Sequence, residues 1–267
     1  MSRLTIQDVV DHLIKPVGQL EQTVDRLLVG DPDAKVTGIA VAFMPTQRVI
    51  EQMIEIGANL LISHEGLAYS HHFQPEILEQ DPVFQTKRSL LEEAGIAVFR
   101  FHDYIHRYQP DAITAELVRT LEWQPYVLEH QQAASIVKLP APSSLGDLAA
   151  HVKKKLGIPY MRAVGDLEMP CERIGILVGY RGGGSVAIPL YEREELDVII
   201  AGEGPEWETP EYVRDAVHQG KRKALLVIGH AESEEPGMAA CAEQLKTVYP
   251  SVPVRFLRDE PIFQVLL

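Results

Sequence analysis

The sequence predicts an α/β protein of two α/β lobes, each with a mostly parallel sheet covered by helices. Three observations carry this expectation. Apolar runs, such as the Leu60-Leu61-Ile62 centre of Asn59-Leu60-Leu61-Ile62-Ser63 and Ala224-Leu225-Leu226-Val227-Ile228, read as strands buried on both faces. They alternate with stretches of helical length and periodicity, the rhythm of βαβ units. That rhythm breaks once, around residues 125–148, and then restarts. The composition agrees: 267 residues, 46% hydrophobic and 24% charged, can bury a real core and exclude disordered and fibrous classes.

Taken in order, Ile6, Val9, Val10, Leu13 and Ile14 repeat at helical spacing and stop before Pro16. Val36–Ala42 is a β-branched strand, and Pro45–Ile56 a helix closed by Gly57. Asn59–Ser63 is a strand, Val83–Ala94 a helix capped by Gly95, and Ile96–Phe101 a strand. Ser135–Leu139 is a strand, Pro140–Ser144 a loop, and Leu145–Leu156 a helix. Strands follow at Ile174–Gly179, Asp197–Ala201 and Ala224–Ile228. The expected division is a first lobe of 1–125 with about 225–267, carrying most of the metal ligands, and a second lobe of 126–224. A weak internal repeat pairs Thr37–Val41 with Ile174–Val178, and Asn59–Gly66 with Asp197–Gly204. Duplication and chance likeness of βα units both remain open.

Charge and termini limit the function classes. The net charge of −13, from 25 Lys+Arg against 38 Asp+Glu, repels a phosphate backbone, so nucleic acid is not an expected partner. No apolar run is long enough to cross a bilayer, and the start Met1–Asp8 lacks the pattern of a signal peptide. A cytoplasmic protein without a membrane partner is expected. Cys171 and Cys241 form neither a disulfide framework nor a CxxC site.

Ligands of open α/β sheets collect beyond the carboxyl ends of the strands. Three strands end there in histidine or acid: Ser63-His64-Glu65-Gly66, Phe101-His102-Asp103-Tyr104-Ile105-His106, and Gly229-His230-Ala231-Glu232-Ser233-Glu234. Imidazole and carboxylate are the ligand set for zinc, manganese, iron or nickel where no thiolate is offered. His102 and His106, like His230 and Glu234, share one face if the chain turns helical there. Singly, each cluster also fits a solvated loop or a helix cap; their conjunction points to a metal centre. His71 and His72 fit either a ligand or a flexible loop. His12, His130, His151 and His218 read as surface residues. Arg181-Gly182-Gly183-Gly184-Ser185 fits a phosphate cradle or a flexible turn, and lacks the lysine of a P-loop. Ser233 reads as a cap or a donor supporting a ligand, Cys241 as packed and inert.

The order strand–Ser-His, then a His-rich strand end, then Gly229-His230-x-x-Ser233-Glu234-x-x-Gly237 resembles the Nif-three-like proteins, also known as GTP cyclohydrolase 1 type 2 homologs. The likeness covers nearly the whole chain, with Asp197–Glu203 resembling a family strand that ends in Thr-Gly-Glu. It implies two α/β lobes, two divalent metal ions per chain, and a homo-oligomer in the form of a toroidal hexamer. The family's His-His pair falls on His64 and Glu65, its second His and Asp on His102 and His106, and its terminal His and Glu on His230 and Glu234. This chain therefore departs twice, with Glu for His and His for Asp, which keeps four imidazoles and two carboxylates. The family's Trp-Asp-Asn-Val-Gly-Leu start is replaced by Thr23–Gly30. The implied function is a metal-dependent hydrolase acting on a nucleotide-like small molecule, as a GTP cyclohydrolase would, or on a phosphoester. Asp103 and Glu203 are the candidate general bases. The rival reading is a non-catalytic, metal-binding regulatory or interaction protein.

Overall fold

In a computed structural model, residues 4–71 and 78–266 are described. The first helix, α1 (Ile6–Ile14), opens with a reciprocal cap between Thr5 and Asp8 and buries Ile6, Val9, Val10 and Leu13. There follow β1 (Leu27–Val29), β2 (Ile39–Ala42), α2 (Gln47–Ile56), β3 (Leu60–Ser63), α3 (Pro82–Glu93), β4 (Ala97–Arg100) and the single turn α4 (Asp103–His106). Helix α2 starts at Gln47, two residues past the expected Pro45, because the Thr46 side chain accepts the Val49 N–H. Gly57 ends it at φ +68°, a left-handed conformation that a side chain would strain. Strands β2, β3 and β4 are buried throughout and pair in parallel, Ile39 beside Leu60 and Leu60 beside Ala97. Strand β1 runs antiparallel at the edge beside β4. Ile50, Met53, Leu61, Phe84, Leu91 and Val98 fill the core between sheet and helices.

The second sheet is more mixed. Its elements are α5 (Ala112–Thr120), β5 (Val127–His130), β6 (Ser135–Ser144), α6 (Leu145–Leu156), β7 (Arg162–Val164), β8 (Pro170–Leu177), α7 (Gly184–Arg193), β9 (Val198–Ala201), α8 (Thr209–His218) and β10 (Ala224–Val227). The strand order is β5-β6-β8-β9-β10-β7. Only β8-β9-β10 is parallel; β5, β6 and β7 join antiparallel. Pro140–Ser144 is therefore not the expected loop. It continues β6 past an irregularity, with Ser143 beside Cys171 and Ser144 beside Pro170. Both prolines lie in the stretch between Lys138 and Ser143 where the register shifts, so no ladder donor is missed.

The chain ends with α9 (His230–Val248) and β11 (Val254–Phe256), which pairs in parallel with β2 and completes the first sheet as β1-β4-β3-β2-β11. Two compact units result, residues 1–108 with 238–266, and residues 109–237. The boundaries lie away from the expected 125 and 225 for two reasons. Helix α5 packs on β6 and β8, and β10 lies inside the second sheet between β9 and β7. His230 and Glu234 thus belong to the second unit. Among the described residues, no helix is long and apolar enough to cross a membrane.

Candidate metal centre

In the first unit the strand ends carry His64, Glu65, His102 and His106. Main-chain bonds from His64 N to Ala42 O (3.1 Å) and from Glu65 N to Phe43 O (2.9 Å) extend the β3 ladder past Ser63 and fix both side chains. His64 is fully buried, with Nδ1 3.2 Å from the Phe101 carbonyl oxygen. Its ring stacks on His102 at 4.6 Å and meets His106 edge-on at 5.0 Å. His102 and His106 lie 5.0 Å apart, one turn of α4 bringing them to the same side. His64, His102 and His106 can each offer a ligand atom within 4.8 Å of the other two, and so can Glu65, His71 and His102. Three clustered imidazoles would repel one another if protonated, and as neutral rings they present converging lone pairs. That donor set fits a borderline divalent transition metal.

Three charged residues hold these side chains. Asp25 Oδ1 accepts the N–H groups of His102 and Asp103, and Oδ2 that of Tyr104, each at 2.9 Å, so one carboxylate caps α4. Burial pushes the Asp25 carboxyl above its usual range, against those three hydrogen bonds. Asp103 Oδ1 lies 3.0 Å from His102 Nδ1, and Oδ2 accepts the Val24 N–H at 2.9 Å. Burial alone would raise the Asp103 carboxyl, yet His102 and the Val24 N–H outweigh it and hold it well below the ordinary carboxylate range. Asp103 therefore orients His102, as carboxylates beside metal-binding imidazoles do, and holds no proton near neutrality. Arg100, 2% exposed at the end of β4, donates to Glu65 Oε2 at 2.7 Å.

The second unit carries His230, Glu203 and Glu234. His230 Nδ1 lies 2.8 Å from Glu203 Oε1 and Nε2 3.2 Å from Glu234 Oε2. Burial lowers the affinity of this imidazole for a proton, but the two carboxylates outweigh it and lift His230 to about 10. Glu203 is held below its usual value by the His230 hydrogen bond, against burial. Ser233 supports this turn: its hydroxyl donates to His230 O at 2.7 Å and accepts the Gly179 N–H at 2.9 Å. Gly179 takes φ +57°, and a Cβ there would collide with the Glu234 carboxylate.

The structure thus gathers His64, Glu65, His102 and His106 in one unit and pairs His230 with Glu234 in the other. Asp103 and Glu203 each sit on a histidine. The glycine-rich stretch is no open phosphate cradle, since the Gly184 N–H donates to Glu208 Oε2 at 2.6 Å and Arg181 to Asp111 Oδ2 at 2.9 Å. A protein carboxylate occupies the start of α7. His12, His130 and His218 are exposed, whereas His151 stacks on Trp123 at 5.3 Å with Nε2 2.8 Å from the Leu121 carbonyl oxygen. His72 lies outside the described residues. Arg100 and Asp25 were not expected. The available signal was, for Arg100, a cation closing an apolar strand; Asp25 offered none nearby.

Comparison with known proteins agrees with this architecture. The GTP cyclohydrolase 1 type 2 homolog of Clostridium perfringens is 24% identical over 254 residues, covering 91% of this chain and 92% of the relative. A Bacillus cereus protein related to NIF3 superposes with a TM-score of 0.78 at 14% identity, covering 99% of this chain and all of the other (100%). A Staphylococcus aureus hypothetical protein superposes with a TM-score of 0.74 at 19% identity, covering 99% and 100% of the two chains. The family profile described as Duf34/NIF3 (NGG1p interacting factor 3) matches residues 1–261, and with the match running through both sheets and every strand end described above, the chain belongs to the Duf34/NIF3 family.

Proposed function

We propose that the protein is a metal-dependent hydrolase of a nucleotide-like substrate, working through the imidazole cluster of its first unit. The convergence of His64, His102 and His106 carries this reading. A bound divalent ion would supply a water acidic enough to give hydroxide near neutral pH, and a positive charge for the developing oxyanion. The chain's own residues prepare that role. Asp103 turns His102 so that Nε2 is the nitrogen presented, and Asp25 holds the turn that places His102 and His106. Arg100 fixes the Glu65 side chain by a charge-assisted hydrogen bond. The name of the clostridial relative suggests GTP as a substrate to try, with ring hydrolysis rather than phosphate release as the reaction.

A second reading, a metal-binding interaction protein without turnover, has one observation in its favour. Asp103 and Glu203, the two expected bases, are both committed to histidines. We further propose two ions per chain, with His230 and Glu234 as ligands, a hexameric assembly and a cytoplasmic location, all from the resemblance. The deciding experiment is metal analysis of the purified protein, followed by a hydrolysis screen over nucleoside triphosphates and phosphoesters with and without chelator. Metal-dependent release of a hydrolysed product supports the enzyme. Tight metal with no turnover supports the second reading, and no tight metal after reconstitution with zinc or manganese rejects both. Light scattering at the monomer mass would reject the hexamer.

A further inference from the structure

The segment that follows β3 carries a histidine which the family pattern leaves unassigned. His71 lies six residues beyond Glu65, yet its ring meets His102 edge-on at 4.8 Å. Glu65, His71 and His102 can each offer a ligand atom within 4.8 Å of the others. The placement is built by two buried cations. Arg100 donates from Nη1 to the His71 carbonyl oxygen and from Nη2 to Glu65 Oε2, both at 2.7 Å. Lys87, 2% exposed, donates to the Leu67 carbonyl oxygen at 2.8 Å and lies 3.9 Å from the centre of the Tyr69 ring. The loop is thus tied at Glu65, Leu67, Tyr69 and His71, although Tyr69 and His71 are themselves exposed.

We propose that His71 is a metal ligand which, with Glu65, forms a second cation place beside that of His64, His102 and His106. The inference rests on the metal-centre reading above. Glu65 brings a carboxylate alone to its side of the site, and His71 adds an imidazole there. His102 has one nitrogen to give, because Nδ1 is engaged with Asp103, so it serves one ion at a time. His71 gives the Glu65 side an imidazole of its own. Arg100 Nη2 also lies 3.1 Å from His71 Nδ1. An ion on Nε2 puts the ring proton on Nδ1 and gives up that contact, the longest of the three, while both 2.7 Å bonds remain.

The test uses the full-length protein, stripped with chelator and titrated with zinc, with bound metal counted by elemental analysis. Cobalt absorption reports coordination independently of activity. Wild type and the exposed-site control His218→Ala should bind two ions. His71→Ala should hold one at wild-type strength and bind the other at least ~10-fold more weakly, with a changed cobalt spectrum only for the weakened ion. His71→Gln, which keeps a polar partner for Arg100, should behave alike and guards against misfolding of the alanine variant. Two ions held at wild-type affinity in both variants, or equal loss of both ions, would overturn the proposal. No metal in wild type would instead overturn the reading on which it rests.

Discussion

The two units repeat one plan with opposite electrostatics. In the first, β2-α2-β3-α3-β4 leads into a helical turn; in the second, β8-α7-β9-α8-β10 leads into a helix. The middle strand ends in Glu65 in one and Glu203 in the other, and the third is followed by His102 or His230. In each unit that glutamate faces that histidine, at 3.7 Å from His102 Nε2 and 2.8 Å from His230 Nδ1. Ile39 pairs with Leu60, whereas its repeat counterpart Ile176 pairs with Ile200, two residues beyond the counterpart of Leu60. An even slip keeps every side chain on its face, so the plan survives it. Around the shared pair the chemistry diverges. The first unit surrounds it with imidazoles and neutralises its carboxylate with Arg100. The second encloses one imidazole between Glu203 and Glu234 and lifts it to about 10. Three positions set the difference: His64 against Gly202, Arg100 against Val227, and His106 against Glu234.

Breaking the first unit at Arg100 has the largest expected effect. Arg100→Met removes the buried ion pair to Glu65 and the bond to the His71 carbonyl oxygen, a loss on the order of 3–5 kcal/mol, read as a fall in the urea midpoint. Adding Glu65→Gln should recover part of it. A midpoint unchanged in the single variant would mean that the pair does not hold this strand end. Next is Gly202→Ala, which asks the second unit to accept a side chain where the first has His64. The new Cβ would lie 2.5 Å from the main-chain Gly179 O and 2.6 Å from Ser233 Oγ, itself held by bonds to Gly179 N and His230 O. Overpacking of this kind costs about 1–3 kcal/mol. A variant as stable as wild type would show that glycine is not what separates the two sites.

Metal affinity sharpens the same contrast. His230→Ala and Glu234→Ala should each weaken binding by at least the ~10–100-fold seen when groups supporting a ligand are lost. His218→Ala, exposed at the end of α8 before β10, should leave it unchanged. Isothermal titration of the three separates metal binding at His230 and Glu234 from a purely structural pair. Equal loss in His218→Ala would reject the assignment of the strand ends.

What the sequence made legible follows from the same physics. Strands β2, β3, β4, β8, β9 and β10 are central or fully buried and read as apolar runs, so their ends, and the histidines on them, could be located. Strands β1, β5, β7 and β11 all lie at sheet edges, are three or four residues long and are only partly buried. Such strands need no apolar run, and none was expected. The candidate ligands were visible because they follow strands directly. Their supports were not: Asp25 caps a turn 77 residues away, and nothing local to it announces that contact.

The smallest expected effect concerns Lys87, and again the units differ. Both bury a lysine against carbonyl oxygens and a tyrosine ring, Lys87 on Leu67 and Tyr69, Lys223 on Tyr191 and Leu196. Lys223 also has Glu192 at 3.4 Å. For Lys87, burial alone pulls the ammonium down to about 8, from an ordinary value of 10.5. Between those values the unfolded chain binds more protons than the folded one, so this group makes stability rise with pH from about 8 to about 10.5. Lys87→Met removes the titration and leaves the tyrosines, whose effects cancel when the two proteins are compared. The unfolding free energy of wild type minus that of Lys87→Met should therefore climb across that window and be flat below it. Urea titrations at matched pH values on either side of about 8 and near 10 measure it. A difference that is constant with pH would mean that Lys87 reaches water, and that the loop it ties down beside Glu65 is looser than its bonds to Leu67 and Tyr69 require.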